Sequence, residues 1–80
     1  MAHFIPVDNQ MQHGIVTPLS LTDLQTYVNG FVKFINLQGG DCMAVHEDSD
    51  EFGEVNQTAT MLSGRTICGH AVLFHSGELE

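Results

Sequence analysis

The sequence predicts an α+β fold: a small single sheet of about four strands in β-α-β-β-α-β order, with the helices packed mainly on one face. Three observations predict it. A Ser20–Asp23 cap opens an apolar stripe at helical spacing. Two stretches rich in aromatic and β-branched residues flank Gly39-Gly40. A short segment headed by Asn56 and stopped by Gly64 precedes a strongly apolar last strand. With 80 residues the chain supports one domain, spanning 1–80.

Phe4, Ile5 and Val7 suit a short first strand, and Pro6 marks a strand end or an edge position. Residues 8–14 are polar and read as a loop, and a second extended piece runs through Ile15, Val16 and Thr17. Ser20 is the N-cap of a helix over 21–29. Leu19 and Leu24 fit a hydrophobic staple, Leu21, Leu24 and Val28 form the apolar stripe, and Asn29-Gly30 supplies a left-handed stop. Residues 31–37 and 41–46 read as an antiparallel hairpin turning at Gly39-Gly40. Either Phe31 and Ile35 or Val32 and Phe34 face the helix stripe. An acidic turn follows over 47–53. Asn56 caps a short helix through Thr58 and Leu62, and residues 66–75 form the last strand. Gly69 inside that strand marks a bulge or a close backbone approach.

Lys33 and Arg65 are the only strong cations against ten carboxylates, for a net charge of -8. Such a surface repels phosphate backbones and anionic lipid head groups, so direct nucleic-acid or membrane binding is excluded first. The longest pure apolar run, Ala71-Val72-Leu73-Phe74, is far short of the ~18 residues of a membrane span. No basic stretch followed by an apolar block opens the chain, so no signal peptide is expected. Cys42 and Cys68 are expected as free thiols, and Leu79-Glu80 carries no functional weight. A core this small is barely stabilised by apolar burial, and a homodimer would relieve the shortage.

Four kinds of chemistry bear on these residues. Asp48-x-Asp50-x-Phe52-Gly53 resembles the start of a calcium loop, but Phe52 and Ala59 occupy positions that need oxygen donors. Cys42, His46, Cys68 and His70 are zinc-type ligands that share faces by period two, without the spacing of a knuckle or ribbon. Cys68 beside His46 or His70 lacks the anchored third group of an activated nucleophile. No Gly-rich phosphate loop leads into a helix. No cofactor and no enzymatic activity are therefore expected.

The runs Val28-Asn29-Gly30-Phe31-Val32, Val45-His46-Glu47-Asp48, Val55-Asn56-Gln57-Thr58-Ala59-Thr60 and Ile67-Cys68-Gly69-His70-Ala71 carry a resemblance. Over about residues 20–74 the chain resembles a small domain family of uncharacterised function common in tailed-phage genomes, with some bacterial and plant members. That family carries an acid soon after the Gly30 position, where this chain has Lys33. The resemblance implies a small phage-encoded accessory protein working in the host cytoplasm, and no mechanism. Physics gives the matching residues structural roles: Gly30 ends a helix, Asn56 caps one, and Ala59 permits close helix–sheet packing.

The function expected is thus a non-enzymatic interaction protein that modulates a host factor through an acidic surface. Glu47, Asp48, Asp50, Glu51 and Glu54 would meet a basic partner protein. The alternative is a nucleotide-type small-molecule binder acting as a homodimer, with Lys33 and Arg65 taking the phosphate.

Overall fold

The computed structural model of the chain describes residues 2–7, 13–15, 18–51 and 53–79, with backbone only for His13 and Ile15. The elements are β1 (Ala2–Ile5), β2 (His13–Ile15), α1 (Leu21–Val28), β3 (Val32–Asn36), β4 (Asp41–His46), α2 (Gln57–Ser63) and β5 (Ala71–His75). The fold is α+β, as expected. The strands make one five-stranded sheet in the order β2-β1-β5-β4-β3, every neighbouring pair antiparallel. Its β-α-β-β-α-β core is joined by the short β2.

Strand alternation divides the core in two. Phe4, Ala44, Val72 and Phe74 point to one face and Ile5, Met43, Val45 and Ala71 to the other. Helix α1 lays Leu24 on the first face, with Leu19 and half-buried Tyr27 and Val32 beside it. Of the two pairs offered by the sequence, Val32 and Phe34 are thus on the α1 side, and Ile35 belongs to the opposite cluster. Helix α2 contributes only Ala59 to that second cluster, where a methyl group lets its backbone approach Met43, Val45 and Ala71. The helices therefore take one face each and are not gathered on one face. Seven residues of α2 cannot cover five strands, so the second face is only partly roofed.

The caps follow from local chemistry. The Ser20 hydroxyl accepts from Asp23 N at 3.1 Å, and Asp23 Oδ2 accepts from Ser20 N at 3.1 Å, so both orphan amides are satisfied. Asn29 then takes the left-handed conformation, φ 64°, and ends the helix. Leu19 and Leu24 are both buried in one cluster, as a staple requires.

Asn56 makes three side-chain hydrogen bonds. It is fully buried, its Oδ1 accepts from Ala59 N at 3.0 Å as the α2 cap, and its Nδ2 donates to Ile5 O and Gly69 O at 2.9 Å each. Asn56 thereby ties α2, the end of β1 and the approach to β5 together.

Several expectations shift. Pro6 follows the end of β1, but that strand lies between β2 and β5 and is not an edge. His13 and Gly14, read as loop, pair with Phe4 and His3 because antiparallel ladder bonds satisfy their backbone. The loop reading of 8–12 and the strand reading of Val16 and Thr17 lie outside the described residues. The last strand begins at Ala71 instead of residue 66. Gly69, at φ 84°, turns the chain, and Cys68 forms only an isolated bridge to Val55. Leu79 bridges to Leu19 and packs on the first core cluster, so it belongs to the fold.

Candidate functional site

The acidic turn grows directly from the β3–β4 hairpin. Glu47 N donates to Phe31 O at 2.9 Å, extending the ladder by one residue beyond β3 and β4. Ser49 N then donates to His46 O and Glu51 N to Asp48 O, both at 2.9 Å. From the other side Cys68 N reaches Ser49 O at 2.6 Å, and Gly69 N reaches Glu54 O at 2.9 Å. The backbone carrying these carboxylates is thus held by five hydrogen bonds drawn from three segments. Glu47, Asp50, Glu51 and Glu54 are exposed and Asp48 is half-exposed.

One of the two strong cations, Lys33, reaches this turn. Lys33 Nζ lies 3.4 Å from Asp50 Oδ1. A backbone N–H first, then the charge and hydrogen bond of Lys33, hold the Asp50 carboxyl below its ordinary 3.8, and the charge of Arg65 adds a smaller push the same way. Lys33, offered above as a phosphate ligand, therefore shares the surface of the acidic turn. A phosphate offered to Lys33 would meet the carboxylates of the turn, which weakens the nucleotide reading physically.

Behind the turn, His46, Cys68 and His70 line a pocket of about 250 Å³ together with Val28, Asn29 and Gly69. Cys42 is not part of it; its thiol points to Asn36 Oδ1 at 3.7 Å. Both cysteines are free. His46 Nδ1 accepts from Asp48 N at 3.0 Å, and His70 Nδ1 accepts from Val7 N at 3.0 Å. A neutral ring whose Nδ1 accepts carries its proton on Nε2. Each imidazole thus offers an N–H at Nε2, where a metal would need a lone pair. Among the described residues no three His, Cys, Asp or Glu side chains are placed to hold an ion.

A larger feature escaped sequence reasoning. On the thinly roofed face, a groove of about 640 Å³ opens between the β3–β4 hairpin and the end of α2. Leu37 and Leu73 form its floor, and Met61 and Leu62 its far wall. Met61 is 84% exposed. The one available signal was the pair of large apolar residues in the last turn of a helix too short to bury them.

No helix among the described residues is long and apolar enough to cross a membrane. No family model, curated protein or solved structure matches the chain.

Proposed function

We propose that this chain is a small non-enzymatic accessory protein, phage-encoded and acting in the host cytoplasm, that modulates a host factor by docking on a basic protein surface. The turn formed by Glu47, Asp48, Asp50, Glu51 and Glu54 makes the contact. The observation that carries this reading is the combination of five carboxylates within eight residues with a backbone fixed from both sides, so that little ordering is lost on association. Charge of one sign on a preset surface steers a basic partner and speeds encounter.

The test is affinity capture from host lysate with the wild-type chain and with the triple variant Asp48→Lys, Asp50→Lys, Glu51→Lys. Recovery of a basic protein should fall at least about tenfold in the variant and in high salt. Equal recovery by both chains at both salt levels would place the contact elsewhere.

A further inference from the structure

The hydrogen-bonding phase of β3 can be derived from its two ends. Glu47 N donates to Phe31 O, and Leu37 N donates to Asp41 O. Both pairs continue the β3–β4 register of Val32↔His46 through Asn36↔Cys42. In an antiparallel ladder hydrogen-bonded and non-hydrogen-bonded pairs alternate. The residues whose backbone groups face β4 are therefore Phe31, Lys33, Ile35 and Leu37. Those of Val32, Phe34 and Asn36 face outward. Strand β3 is an outer strand of the sheet, and among the described residues nothing pairs with that outward row. An open edge of this kind templates another strand.

Two more features of the same edge are unexplained by the monomer. Phe31 is 68% exposed, Phe34 is 46% exposed although its ring meets Phe74 edge-on, and the groove floored by Leu37 lies at the far end of the strand. We propose that the occupant of this edge is a second copy of the chain, paired β3 to β3 in antiparallel fashion about a two-fold axis at Phe34. Only residues 32, 34 and 36 can donate and accept outward, and the two-fold register that uses all three pairs Phe34 with Phe34 of the second copy and Val32 with its Asn36. The intervening, closely spaced pairs follow without further choice: Lys33 faces Ile35, and Phe31 faces Leu37. Phe31 shares the sheet face of Ile35 and Leu37, which is the face on which the groove opens. The register that uses every outward-facing backbone group thus lays the exposed Phe31 of each copy against the groove of the other. No like charges stand opposite each other along this ladder. The contact is isologous and closes at two copies.

Each copy carries a net charge of -8, so association should strengthen as salt screens the repulsion. This is opposite to the salt response of docking on a basic partner, and the dimer does not depend on that docking. The experiment is sedimentation equilibrium of the full chain from about 10 µM to about 1 mM in ~0.5 M NaCl, a range suited to a small interface. The expected result is a shift from monomer to dimer mass, with a weaker shift at ~0.05 M NaCl. Two variants probe the register. Phe34→Pro removes the central outward N–H while leaving the bonds to β4 intact. Phe31→Asp removes the exposed ring that enters the groove. Both should stay monomeric across the range, with circular dichroism verifying the fold. If Phe34→Pro fails to fold, Phe31→Asp decides. Monomer mass throughout, assemblies growing beyond two copies, or a dimer that persists in a folded variant would overturn the proposal.

Discussion

Replacing Asn56 with alanine should be the most damaging single polar substitution in this chain. The amide makes three hydrogen bonds from full burial, to Ala59 N, Ile5 O and Gly69 O. Loss of a helix N-cap costs about 1 kcal/mol. Each carbonyl left buried without its donor costs about 1–3 kcal/mol, with the lower end applying where water can enter. The sum is about 3–5 kcal/mol, against roughly 4–12 kcal/mol of total stability for a domain of this size. With a urea slope near 1 kcal/mol per molar, the unfolding midpoint should drop by about 3–5 M or the variant should be unfolded outright. Urea titration followed by circular dichroism measures this. Asn56→Ser separates the parts, since a serine hydroxyl keeps the cap but cannot reach both carbonyls. It should recover only about 1 kcal/mol relative to alanine. A loss under ~1 kcal/mol in Asn56→Ala, or full recovery in Asn56→Ser, would refute the idea that this side chain joins three segments.

Three further outcomes are expected. Gly30 has φ 158° and a Cβ there would stand 2.5 Å from His46 Nε2, so Gly30→Ala should displace that ring from Asp48 N and cost about 1–3 kcal/mol; in a double-mutant cycle His46→Ala should recover the part due to the clash and leave the backbone strain. The Ser49 hydroxyl is buried without a hydrogen-bond partner among the described residues, so Ser49→Ala should leave stability unchanged or raise it by up to ~1 kcal/mol; a clear drop in the thermal midpoint would show that the hydroxyl has a partner. Asp50 has a folded pKa below its ordinary 3.8, so its contribution to stability is complete above 3.8 and disappears as pH falls through the lower folded value. Carboxyl carbon NMR titration should place its midpoint below 3.8, and Lys33→Met should raise it; an unmoved midpoint would remove Lys33 as a cause.

Local chemistry was readable along the chain, and long-range pairing was not. Ser20 and Asp23, Asn29, Asn56 and Gly64 announce helix ends because caps involve neighbours within four residues. Gly39-Gly40 announces a turn for the same reason. The side of the sheet that α2 chooses depends on how residues 64–70 route the chain, and Gly69 there left only a choice between bulge and close approach. The interior place of β1 likewise comes from pairing with β5, almost seventy residues away. For the candidate site, the acidic residues were visible as composition, whereas their bonds to Phe31, Cys68 and Gly69 were not. Lys33 reads in the sequence as a ligand for a separate phosphate because nothing local brings it to Asp50, 17 residues away.

The last strand of the chain occupies the middle of the sheet. Strand β5 is flanked by β1 and β4, so it joins the β1–β2 ribbon to the β3–β4 hairpin. Without residues 71–75, β1 and β2 have no third strand, and a two-stranded ribbon alone is marginal in water. Pairings so distant along the chain make the sheet depend on contacts that close late in folding.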